Sequence, residues 1–224
     1  MSAPRPLVVA HRAGNDPLAL ERALALGVDV VELDLHLRRG RVEVRHSKAL
    51  GPSPLLWERW HLADGLARLP VLDEMLALLA RGPATGVMLD MKGADPRLPR
   101  AVLRALDAWH GPGPVYVCSR VWWTLAPLAS RPGIVPLHSV GTPRQLRALL
   151  RRFPPGAGAL AGATVKRTLL DPETTGALRR RTDVLMTWSV DTPEEAARLA
   201  GWGVTGCISD APEVLMAAAA AGAG

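Results

Sequence analysis

One pattern constrains this chain more than any other: short apolar runs alternate with amphipathic segments eight times over. The runs fall at residues 7–10, 28–35, 86–91, 115–118, 134–137, 159–165, 184–188 and 205–208. Segments with apolar residues at helical spacing stand between them, at 17–26, 72–79, 97–109, 122–129, 143–152, 172–180, 193–200 and 211–220. Strands that alternate with helices form parallel sheets, because a parallel connection needs a crossover long enough to hold a helix. An open doubly wound sheet and a closed (β/α)8 barrel both produce this periodicity, and eight evenly spaced units favour the barrel. The 224 residues are expected to form a single domain over 1–224. A polar turn and a second short strand at 42–45 break the alternation after the second run, and residues 47–70 read as irregular, which together make a short insertion.

Composition narrows the partners. The chain is 48% hydrophobic and 21% charged with a formal net charge of +6, as in an ordinary globular domain with a basic surface. Such a balance favours anionic ligands. The arginines are spread over helical segments such as 144–152 and 179–181, the pattern of solvated helix faces, so no nucleic-acid partner is expected. Cys118 and Cys207 lie in separate apolar runs and have neither a disulfide framework nor a zinc spacing. Residues 1–6 lead into the first run without a leader pattern, and charged residues or glycines interrupt every apolar run before membrane-spanning length. A soluble, cytoplasmic protein without stable membrane insertion is expected.

In either architecture, chemistry belongs at the carboxyl ends of the strands. The first run ends in His11-Arg12, the second carries Glu32, Asp34 and His36, and the third ends in Asp90-Met91-Lys92. Side chains alternate across a strand, so Glu32, Asp34 and His36 share one face and Leu33 and Leu35 the other. Carboxylates on an inner face are costly without a counter-charge. Three of them on neighbouring strands make a site for Mg2+ or Ca2+. Each piece has an ordinary structural reading as well: a salt-bridge element for Glu32 and Asp34, a hydrogen-bonded core histidine for His11, an ion pair for Asp90 and Lys92. Their joint placement at strand ends is what points to a site. Ser119, His138 and Trp188 end later runs and are candidate pocket residues, with Lys166 beside them. His36 reads as a rim residue, His61 and His110 as surface.

Beyond these placements, the chain resembles the glycerophosphodiester phosphodiesterase family. The resemblance runs through His11-Arg12, Gly27-Val28-Asp29-Val30-Val31-Glu32-Leu33-Asp34, Val42-Glu43-Val44-Arg45-His46, Leu69-Pro70, Leu89-Asp90-Met91-Lys92, Trp188-Ser189-Val190-Asp191 and Gly203 to Pro212, in order along nearly the whole chain. The resemblance implies a (β/α)8 TIM barrel of the phospholipase-C-like phosphodiesterase type and a phosphoric diester hydrolase. It implies one divalent cation, Mg2+ or Ca2+, on Glu32, Asp34 and Asp90, a catalytic pair His11 and His46, and phosphate contacts from Arg12 and Lys92. The implied substrate is a small phosphodiester, cleaved to an alcohol and glycerol 3-phosphate by attack of the neighbouring glycerol hydroxyl. Three departures stand out. Gly14 occupies the place of the glutamate in the family's Pro-Glu-Asn-Thr segment, Ser47 follows the second histidine where the family has aspartate, and Asp191 replaces an asparagine. Two alternatives therefore stay open: a sphingomyelinase D-like or lysophospholipase D-like activity on lipid phosphodiesters, and an inactive barrel that binds a phosphorylated ligand.

Overall fold

A computed structural model describes residues 5–49, 55–58, 61–64, 68–83, 85–156 and 160–221. The alternation closes into a barrel. The parallel strands are β1 (Leu7–Ala10), β2 (Val30–Arg38), β7 (Gly86–Met91), β8 (Val115–Ser119), β9 (Ile134–Val140), β10 (Gly162–Lys166), β11 (Leu185–Trp188) and β12 (Gly206–Ser209). Each pairs with the next, β12 returns to β1, and the pairing of β1 with β2 completes the ring. Closure decides between the two architectures that periodicity left open, since β1 pairs with β12 on one side and with β2 on the other. β3 (Arg41–Val44) folds back antiparallel on β2 through Arg39-Gly40, both with positive φ (49° and 79°), as a two-residue hairpin turn requires.

The helices follow from local chemistry at their starts. Asp16, Thr142, Asp171 and Thr192 each precede a proline, and each side chain accepts a backbone N–H of the first turn. A capping oxygen followed by proline at the first helical position satisfies donors the helix cannot and presets φ. These caps open α1 (Pro17–Leu26), α4 (Pro143–Arg152), α5 (Pro172–Arg179) and α6 (Pro193–Trp202); α2 (Leu72–Leu79), α3 (Arg97–Ala108) and α7 (Pro212–Ala221) complete the set. Gly27 at φ 74° ends α1 in the left-handed conformation that glycine adopts without strain.

Alternating side chains sort the core into two shells. Val9, Val30, Met88, Tyr116, Cys118, Leu137, Met186 and Ile208 fill the barrel interior. Val31, Leu33, Leu35, Val87 and Leu89 point outward into a layer shared with Leu20, Met75, Leu76 and Leu98 of the helices. The interior is packed below and polar above, so the same strands that build the core aim their next inward residues at the barrel mouth.

Three sequence expectations are corrected. Residues 47–70 are not wholly irregular: β4 (Lys48–Ala49), β5 (Leu55–Glu58) and β6 (His61–Asp64) pair antiparallel, in strands too short to register as a period. The segment at 122–129 is a 3-10 helix, Trp122–Leu128, with Pro127 inside it, and proline withholds an N–H that an α-helix needs. The sixth strand starts at Gly162, later than the expected 159; Ala159 itself lies outside the described residues.

Candidate active site at the barrel mouth

The carboxyl ends of the strands surround a cavity of about 500 Å³. His11, Arg12, Glu32, His36, His46, Asp90, Lys92, Trp188 and the half-exposed Trp57 are among its lining residues. Strand register explains the convergence. Asp34 lies directly beside Asp90 on β2 and β7, and Glu32 is one inward step below on β2. One oxygen from each of Glu32, Asp34 and Asp90 comes within 4.8 Å of the others.

The three carboxylates meet two cations. Lys92 Nζ lies 2.6 Å from Asp34 Oδ1 and also pairs with Asp90. Arg12 Nε is 3.7 Å from Asp34 Oδ2, and the Arg12 backbone N–H donates to Glu32 Oε2 at 2.6 Å. Arg12 reaches that carboxylate in a left-handed conformation (φ 57°), which turns its N–H toward the barrel. Asn15 holds Asp34 from both sides: its Nδ2 donates to Asp34 Oδ2 and its Oδ1 accepts from the Asp34 N–H, each at 2.8 Å.

Protonation follows this arrangement. Burial pushes Glu32 well above the usual carboxylate range, and the neighbouring charges of Asp34 and Asp90 push the same way. Burial acts upward on Asp34 too, but Lys92 and the Asn15 hydrogen bond outweigh it and hold that carboxyl low. Burial works against the Lys92 ammonium, yet Asp90, Asp34 and Glu32 together raise its pKa above the ordinary lysine value. His36 is lowered to about 4 by burial and by Arg45, so it enters the cavity as a neutral imidazole.

His11 is set by Asp210, which lies within the Gly203 to Pro212 segment and carries no role in the resemblance. Its Nδ1 lies 2.6 Å from Asp210 Oδ1. The two residues follow Ala10 and Ser209, which are register partners on β1 and β12, so barrel closure places them side by side. The pairing of the first and last strands was the signal that would have found it. Asp191 Oδ1 in turn accepts from the Asp210 N–H at 2.8 Å and from Ser209 Oγ at 3.0 Å. Both bonds need only an acceptor oxygen, which an asparagine also offers at that place.

Not every candidate reaches the cavity. Ser119 is fully buried, its hydroxyl donating to the Met91 carbonyl at 3.3 Å. His138 packs edge-on against Trp122 and Phe153, with ring centroids 5.6 and 5.0 Å away. Ser119 ends β8 and His138 lies inside β9, which runs on to Val140; both face outward with Met91, their register neighbour across β7 and β8. Their neighbours Cys118, Arg120 and Ser139 line the cavity in their place, with Thr164 beside Ser139 on β10. Lys166 and His110 are exposed, and for His61 only the backbone is described. Gly14 is buried, and a Cβ there would lie 2.3 Å from Leu33 Cγ, so this packing has no room for the family's glutamate. Ser47 is buried, and its carbonyl accepts from the Arg45 guanidinium. Both cysteines are free and buried.

No protein-family model matches the chain, and no curated protein matches it either. Solved structures do. A phosphodiesterase from Oleispira antarctica, in complex with the product sn-glycerol-3-phosphate, superposes with a TM-score of 0.77 at 18% identity, over 96% of this chain and 97% of that one. The chain has the fold of these phosphodiesterases. A glycerophosphodiester phosphodiesterase from Parabacteroides distasonis matches over 100% of both chains with a TM-score of 0.72 at 18% identity. Another from Agrobacterium tumefaciens matches over 95% of this chain and 99% of that one, with a TM-score of 0.63 at 20% identity. Among the described residues, no helix is long and apolar enough to cross a membrane.

Proposed function

We propose that the barrel mouth is the active site of a metal-dependent phosphodiesterase that hydrolyses glycerophosphodiesters to an alcohol and glycerol 3-phosphate. The observation that carries this reading is the convergence of three carboxylates, Arg12, Lys92 and the pair His11 and His46 around one cavity of a barrel shared with such enzymes.

The donor set fits a hard divalent cation, Mg2+ or Ca2+. Glu32, Asp34 and Asp90 offer only oxygen, their ligand atoms are clustered, and three carboxylates face two cationic side chains. A further positive charge would offset the excess that otherwise favours protonation of Glu32. When bound, such an ion polarises a non-bridging phosphate oxygen and offsets charge on phosphorus.

The side chains do the rest. Arg12 and Lys92 hold the phosphate oxygens, the part of each that faces the cavity remaining open to it. Asp210 accepts from His11 Nδ1, which leaves Nε2 as the nitrogen that takes or gives a proton. His11 and His46 then act as a pair, one deprotonating the attacking glycerol hydroxyl and the other protonating the leaving alkoxide. That attack forms a cyclic phosphate, which water opens to glycerol 3-phosphate. Met88, Cys118 and Ile208 form the apolar floor and keep bulk water from below.

The test is turnover of glycerophosphoglycerol with added Mg2+ or Ca2+, repeated with chelator and with a diester lacking the neighbouring hydroxyl. Turnover that needs both metal and hydroxyl supports the reading. Equal cleavage of the diester without the hydroxyl would rule out the cyclic route, and cleavage in excess chelator would rule out the metal.

A further inference from the structure

The cavity holds an arginine for which the proposed chemistry has no use. Arg120 follows β8, directly after Ser119, and lines the cavity together with Lys92. Its guanidinium carbon lies 5.2 Å from the centre of the Trp188 ring, on the end of β11 across the mouth. It spans there over Gly141, where an added Cβ would sit 3.5 Å from the guanidinium. Among the described residues Arg120 makes no ion pair, unlike Arg12 and Lys92. Arg120 is exposed, and among the described residues its guanidinium has no hydrogen-bond acceptor, so its N–H donors stay available beside the ring.

This arrangement has a consequence for the alcohol half of the substrate. A quaternary ammonium group is recognised by the faces of several aromatic rings. The described aromatic residues lining this cavity are Trp57 and Trp188, and Arg120 already covers Trp188. A cationic alcohol would meet a like charge where it needs a bare ring. A carboxylate or phosphate on the alcohol would meet unpaired donors in the fork geometry that binds both.

We propose that Arg120, held over Trp188, selects the alcohol moiety, favouring one with a negative charge and disfavouring a choline-like cation. The proposal rests on the phosphodiesterase reading and deepens it, by assigning a substrate class and separating this chain from enzymes of choline-bearing diesters. The test uses three glycerophosphodiesters whose alcohols are choline, glycerol and glycerol phosphate. In the wild-type protein, kcat/KM should rise in that order, at about tenfold per unit of charge, so that about a thousandfold separates choline at +1 from glycerol phosphate near −2. In Arg120→Gln the ratio of anionic to cationic diester should fall to about unity, with Arg120→Lys between, since the charge stays and the planar fork is lost. A uniform loss on all three substrates would mean that Arg120 contacts the phosphodiester itself, and an unchanged ratio would mean that it contacts nothing; either result overturns the proposal. Calorimetric binding of the same diesters in chelator, where no turnover occurs, separates the two claims. If the metal-loaded protein cleaves none of them, the phosphodiesterase reading fails. The affinity ratio still decides Arg120, and equal or immeasurable affinities overturn its role.

Discussion

Removing the Lys92 ammonium tests the charge balance on which the metal assignment depends. Lys92 Nζ sits 2.6 Å from an Asp34 carboxylate that is 1% exposed, and it also pairs with Asp90. Lys92→Met keeps most of the stem and leaves three clustered carboxylates with Arg12 alone. Breaking a buried pair by deleting one partner costs about 3–5 kcal/mol, and the 31% exposure of Lys92 argues for the lower end, about 3 kcal/mol. For a chain of this length, that corresponds to a fall of about 6–12 °C in Tm. Scanning calorimetry in chelator should show the fall. Saturating Mg2+ or Ca2+ should then restore more stability to Lys92→Met than it adds to the wild type, because the variant has more uncompensated charge for the ion to neutralise. A ligand that binds only the folded state at 100 times its Kd adds about 2.7 kcal/mol, enough to offset most of the loss. If the variant melts with the wild type in chelator, or gains no more from metal, the three carboxylates do not form one electrostatic unit and the reasoning fails.

Other outcomes follow from the same geometry. Asp210→Asn should lower kcat by about 10- to 100-fold while KM stays close to wild type, measured on glycerophosphoglycerol, since it loosens the bond that fixes the His11 tautomer. Gly14→Glu should cost about 2–3 kcal/mol in urea unfolding, because its Cβ would lie 2.3 Å from Leu33 Cγ; an unchanged midpoint would show that the loop yields freely. His138 has a pKa lowered from 6.5 to about 4, by burial and then by Arg152. Between those values the unfolded chain binds a proton that the native state does not, so stability falls as pH drops from 6.5 toward 4. His138→Leu removes this slope, and at pH 5 the variant should gain on the wild type by about 1 kcal/mol relative to their difference at pH 8, after allowance for partial exposure. Parallel stability curves across that range would contradict the assignment.

The barrel was legible because short apolar runs alternate with segments of helical spacing eight times along the chain. Glu32, Asp34, Asp90 and Lys92 were legible because they break apolar runs at the ends where parallel strands deliver side chains. Ser119 and His138 misled for a physical reason: a strand end alone does not say which way a side chain faces, and one step of register separates them from Cys118 and Ser139. The role of Asp210 was not legible because His11 lies 199 residues away in the chain, joined to it only once the last strand pairs with the first. Arg120 was missed because its meaning depends on reaching Trp188 across three strand positions of the ring, which no local pattern encodes. The strands at 48–49, 55–58 and 61–64 escaped notice because each has four residues or fewer and two of them are poor in β-branched and aromatic residues.

The most direct measurement of the central claim is phosphorus NMR of a glycerophosphodiester incubated with metal-loaded protein, wild type beside His11→Ala, with metal affinity measured on both. A growing glycerol 3-phosphate signal is expected from the wild type and none from His11→Ala, although the variant binds the ion as tightly. An unchanged diester signal under both conditions would instead mark the barrel mouth as a site that binds phosphorylated ligands without turning them over.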